Sequence, residues 1–109
     1  MVPTEVEEVP DGAFDEQQSL ESVTFVEGSR LRRIGKRAFC GCRGLRTVCL
    51  PEGLEVLDEK CFAYSGLEEV TVPASVREIG REVFLGCKRL REARVASAAA
   101  SRALERTLP

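Results

Sequence analysis

The residues with the greatest chemical reach in this chain are five cysteines, Cys40, Cys42, Cys49, Cys61 and Cys87, and the basic run from Arg30 to Arg37. Thiols can ligate metals or exchange electrons, and clustered guanidinium groups can hold phosphate. Cys40-Gly-Cys42 supplies one ligand pair where a structural zinc site needs four, and it lacks the two-residue spacer of a thiol–disulfide motif. Histidine is absent, which excludes imidazole ligands, imidazole bases and any Ser/His/Asp constellation. No nucleophile stands beside a credible base and no phosphate-cradling loop occurs, so the chain reads as non-enzymatic, with no catalytic residue, metal or cofactor expected.

The elements that must position these residues belong to a small protein. At 109 residues and 12.0 kDa one domain is expected, spanning 1–109. The 43% hydrophobic and 31% charged content fits a folded chain rather than a disordered one. A net charge of -2 and a pI near 5.3 give no global field for nucleic acid or anionic lipid. No segment reaches the roughly 18 apolar residues of a membrane helix, so neither nucleic acid nor membrane insertion is expected. Met1 to Glu8 lacks the basic and apolar regions of a secretory signal. The odd cysteine count reads as reduced thiols. Localisation stays unassigned, leaning intracellular.

The phenylalanines set a period. Phe14, Phe39, Phe62 and Phe84 recur at intervals of 25, 23 and 22 residues. Val9, Ile34, Leu57 and Ile79 stand five residues before them, and Val6, Leu31, Leu54 and Val76 three earlier still. Leu20, Leu45, Leu67 and Leu90 follow each Phe, then Val23, Val48, Val70 and Ala93, then Phe25, Leu50, Val72 and Val95. Leu45-Arg-Thr-Val-Cys-Leu50 ends in period-2 alternation and predicts a short strand, closed by turns such as Pro51-Glu-Gly53 and Pro73-Ala-Ser75. The segment around Ile34-Gly-Lys-Arg-Ala-Phe-Cys-Gly-Cys42 is too Gly-interrupted for a long helix and predicts one or two short helical turns. A unit this small cannot bury its own apolar face. The expectation is therefore an α/β solenoid of four rungs, about 6–30, 31–53, 54–75 and 76–95, with parallel strands on one side. The Ala-rich tail predicts a capping helix over 97–108.

The runs Leu31-Arg-Arg-Ile-Gly-Lys-Arg-Ala-Phe-Cys-Gly-Cys-Arg-Gly-Leu-Arg-Thr-Val-Cys-Leu-Pro51 and Val76-Arg-Glu-Ile-Gly-Arg-Glu-Val-Phe-Leu-Gly-Cys-Lys-Arg-Leu90 resemble the leucine-rich repeats of the BspA-like, or Treponema pallidum type, class. The resemblance implies a binding scaffold, often on the surface of bacteria and protozoa, and no reaction. Departures from the pattern are Asp58 in place of the Gly of Gly35 and Gly80, and Ser65 in place of the Cys of Cys42 and Cys87.

Stacking the units also stacks their charges. Glu7, Arg32, Glu55 and Arg77 form one column, Asp11, Lys36, Glu59 and Arg81 a second, and Glu21, Arg46, Glu68 and Arg91 a third, each alternating in sign. With strands about 4.8 Å apart, each charge should lie between opposite ones, which fixes rung register more than it adds stability. These neighbours make the Arg30 to Arg37 run a neutralised, solvated face. An acidic first rung and a basic last rung also allow head-to-tail self-association through the rung ends.

The alignment assigns the cysteines as well. Cys42 and Cys87 lie two rungs apart, about 10 Å by strand spacing, beyond disulfide reach. Cys42, Cys61 and Cys87 read as packing residues, while Cys40 and Cys49 are expected to see solvent. The phenylalanines read as core and Tyr64 as a single exposed aromatic. The face expected to bind a protein or peptide partner is the outward side of the strands, made of Ser22, Thr24, Thr47, Cys49, Glu69, Thr71, Glu92 and Arg94, flanked by Arg46, Glu68 and Arg91. Its lack of Trp and Tyr points to weak or multivalent contacts.

Overall fold

The computed structural model describes residues 3–95. They form a parallel-strand solenoid of about four turns with two ladders, where the sequence predicted one. The first ladder orders β1 (Glu8–Val9), β2 (Arg33–Ile34), β4 (Val56–Leu57) and β6 (Glu78–Ile79). The second orders β3 (Thr47–Cys49), β5 (Glu69–Val72) and β7 (Glu92–Val95), and a single bridge from Val23 to Val48 adds the first rung. Register follows the apolar columns, with Ile34 beside Leu57 and Val48 beside Val70. Leu31 and Leu54, just before the strands, and Ile34 and Leu57, within them, bury completely once another rung lies alongside.

The expected helical turns are absent: no helix occurs among the described residues. The reason lies in where alternate N–H groups point. Those of Ala38, Cys40 and Cys42 close turns onto the carbonyls of Gly35, Arg37 and Phe39, whereas those of Arg37, Phe39 and Gly41 donate across to Glu59, Cys61 and Ala63 on the next rung. A helix would direct every N–H along its own segment. Here positive φ at Arg37 (56°) and Gly41 (76°) breaks the helical path every fourth residue, and the neighbouring rung takes the freed donors. Gly86 shares this left-handed column (φ 71°), and Tyr64 of the rung before packs so close that a Cβ there would lie 2.4 Å from its ring. The predicted capping helix over 97–108 lies outside the described residues.

The phenylalanines run through the centre as a ladder of nearly parallel rings, with centroids 5.2, 5.3 and 6.0 Å apart from Phe14 to Phe84. Phe39, Phe62 and Phe84 are buried, but Phe14 is 39% exposed, because among the described residues no rung covers its outer face. The ladder is thus open at its first ring. The two middle rungs supply most of the core, and Val6, Leu20, Val23, Phe25, Ile79, Leu90 and Ala93 of the outer rungs are only half-buried.

Candidate functional site

Four thiols take structural places, and Cys40 corrects the expectation that it would see solvent: it is fully buried. It follows Phe39 in a turn whose apparent exposure in the sequence is removed by the rungs on either side. Cys42 donates its S–H to the Phe14 carbonyl at 3.2 Å, and Cys87 donates to the Phe62 carbonyl at 3.1 Å. Each of these two thiols thus ties its turn to the Phe carbonyl of the rung before, and Ser65 shares the column by lying 3.3 Å from the Cys87 sulfur. Burial pushes the Cys42 thiol up to about 11 and raises Cys40, Cys61 and Cys87 too. Cys49 is the exposed thiol. Among the described residues no group of three or more His, Cys, Asp or Glu is placed to hold a metal ion.

Within the basic run Arg32, Arg33 and Arg37 meet carboxylates, mainly through Arg33, a residue outside the alternating columns. Arg33 bridges Glu8, Asp11 at 2.9 Å and Asp58 at 2.7 Å, spanning three rungs. Its bond to Asp58 is the largest influence raising its own pKa. Asp11 is held below the usual carboxylate range by the Lys36 backbone N–H and by Arg33. Burial works to raise Asp58, but the Glu59 N–H and Arg33 outweigh it and the net shift is downward. The departure from Gly at position 58 thus supplies a carboxylate for Arg33. Arg37 reaches Asp15 at 3.4 Å.

Two of the three alternating columns close in their C-terminal parts. Glu55 lies between Arg32 (3.9 Å) and Arg77 (3.0 Å), and Glu68 between Arg46 (2.7 Å) and Arg91 (3.5 Å). In the remaining column Asp11 takes the backbone of Lys36 and the side chain of Arg33 rather than the Lys36 ammonium.

The outward face of the second ladder is an open groove of about 1090 Å³. Its floor brings together Ser22, Thr24, Thr47, Cys49, Glu69, Thr71 and Arg94. Register places Cys49 beside Thr71 and Thr71 beside Arg94, so one row runs from thiol to hydroxyl to guanidinium. Arg46, Glu68, Arg91 and Glu92 do not line the groove. Arg46, Glu68 and Arg91 form the charge ladder at the strand starts, and Glu92 holds Arg94. Glu69 and Glu92 are like-charged neighbours, tolerated because Arg91 reaches Glu69 at 3.4 Å and Arg94 takes Glu92. The sequence reading missed the wall, formed by Val26 to Ser29 with Pro51, Glu52 and Pro73. A signal for it was present: each wall residue follows the last apolar strand position by one to four places.

A family model described as "BspA type Leucine rich repeat region (6 copies)" matches residues 1–101. Among solved structures, a leucine-rich repeat protein from Bacteroides ovatus is similar at 29% identity and a TM-score of 0.77, over 85% of this chain and 24% of that one. The pneumococcal vaccine antigen PcpA is similar at 27% identity and a TM-score of 0.58, over 64% of this chain and 18% of that one. The chain thus spans about a quarter of the length of the first of these proteins. No curated protein matches it.

Proposed function

The chain belongs to the BspA-type leucine-rich-repeat family, and on that premise we propose that it is a non-enzymatic interaction module, a scaffold that docks a protein or peptide on the outward face of β3, β5 and β7. The observation that carries this reading is the groove over that face, floored by small hydroxyl and thiol side chains and walled by the turns that end each strand. Solenoids of stacked repeats present such extended surfaces, and leucine-rich-repeat proteins generally bind proteins. We place Ser22, Thr24, Thr47, Cys49, Glu69, Thr71 and Arg94 in direct contact with the partner, with Arg46, Glu68, Arg91 and Glu92 at the flank. The four rungs and the segment 97–108 are read as one domain. Among the described residues no helix is long and apolar enough to cross a membrane.

The short coverage of the solved relatives favours a second reading, in which the same face is one stretch of a longer, adhesin-like array. Head-to-tail stacking is weaker. Phe14 offers an open ring face, but Phe84 is fully buried and offers none to receive it.

Substitution tests the face directly. Thr71→Trp with Arg94→Glu fills the floor and reverses its charge, and should weaken binding to an identified partner at least tenfold, about 1.4 kcal/mol. Unchanged affinity in a folded variant removes this face from the function.

A further inference from the structure

We propose that the occupant of the groove is an extended cationic segment of a partner protein, whose Lys or Arg side chains meet Glu27 and Glu52. The inference rests on the docking reading above and adds the partner's chemistry. Glu27 and Glu52 hold equivalent places on adjacent rungs, each two residues after the last apolar strand position, Phe25 or Leu50. Both line the groove and both are exposed. They differ from the three alternating columns described above, and also from the like-charged pair Glu69 and Glu92, each of which an arginine answers. In those columns sign alternates from rung to rung, and Glu55 and Glu68 each sit between two arginines. Glu27 and Glu52 repeat the same sign, and neither forms an ion pair among the described residues. Like charges at equivalent turn positions of neighbouring rungs repel, and a cation laid between them removes that repulsion.

The rest of the groove adds no net charge, so the two unanswered carboxylates set its sign. Its other ionised residues are Glu69, which Arg91 reaches, and Arg94, the only cation in the lining, which Glu92 engages. At the third rung the column becomes Ala74, so the unanswered charge is confined to the half of the groove over the first two rungs. Two carboxylates without a third ligand make a poor metal site, and no metal-ligating group occurs among the described residues. A long ammonium or guanidinium side chain needs no such cage. In an extended segment, side chains on one side recur about every 6.6 Å, close enough to the rung spacing for two flexible cations at i and i+2 to reach both carboxylates. The segment would run across the strands, from the wall of the first rung toward Thr71.

The test is selection of displayed random dodecapeptides on the full chain, followed by affinity measurement of the winners against three proteins: the parent, Glu27→Lys/Glu52→Lys, and Thr71→Trp. Winners enriched in alternate Lys or Arg, weakened about tenfold or more by the double charge reversal and by raised salt, are the expected result. Both variants lie at solvent-facing positions, and circular dichroism checks their folds. Winners that Thr71→Trp displaces but that carry no cationic bias overturn the cationic partner and leave the groove as the docking face. Winners indifferent to Thr71→Trp, or no winners at all, overturn both.

Discussion

Replacing Phe62 by Ala should be the most damaging single truncation in the Phe ladder, and its comparison with Phe14→Ala isolates the contribution of rung stacking. Phe62 is fully buried, with rings at 5.3 Å on one side and 6.0 Å on the other. Truncating a buried Phe costs about 3–5 kcal/mol in transfer and cavity terms. Each lost stacked partner adds about 0.5–1.5 kcal/mol. A protein of this length has about 5–15 kcal/mol in all, so Phe62→Ala should remove a third or more of it. Phe14 makes the same substitution cheap: it is 39% exposed and has one stacked neighbour at 5.2 Å. Its truncation should cost about 1–2 kcal/mol. Urea unfolding followed by far-ultraviolet circular dichroism reads the difference, and at about 1–3 kcal/mol per molar the Phe62 midpoint should fall by roughly 1.5 M or more. Costs within about 1 kcal/mol of each other would refute the account of the ladder as a core closed from both sides in its middle and open at its first ring.

Two further outcomes follow from the thiols and the carboxylates. Iodoacetamide under native conditions should label Cys49 alone among the cysteines, with Cys40, Cys42, Cys61 and Cys87 reacting only in denaturant; rapid native labelling of Cys40 would contradict its burial. Asp11 and Asp58 have lowered pKa values in the folded chain, so the unfolded chain binds more protons near and below about pH 4, and their stabilisation is present above that range and lost as pH falls through the folded values. Urea midpoints measured from pH 6 to pH 3 should therefore fall toward acid, and Arg33→Gln, which removes the shared cation, should flatten that fall. An unchanged slope in the variant would show that Arg33 does not hold these two carboxyls.

The sequence by itself determined the repeat, its period and the residues of the core, because identical apolar positions recurring in every unit have one consistent solution: stacking. It also identified the outward strand residues, since alternation along Leu45 to Leu50 assigns each side chain a face before any neighbour is known. The tertiary structure decided what a single unit cannot encode. Ile34 opens the segment that predicts helical turns, and only the pairing of Arg33 and Ile34 with Val56 and Leu57 makes it strand. In the turns around Phe14, Phe39 and Phe62 the next rung accepts every second N–H, an acceptor that no local propensity contains. Cys40 looked exposed in a polar, Gly-flanked loop and is buried for the same reason. Arg33 gathers carboxylates from the rungs on either side of its own, distant in sequence by 22 to 25 residues, so its role emerges only in the stack. The groove wall shares this origin. Turns that are merely polar punctuation along the chain become, once superposed rung on rung, one continuous side of a surface, and the like charges of Glu27 and Glu52 become neighbours.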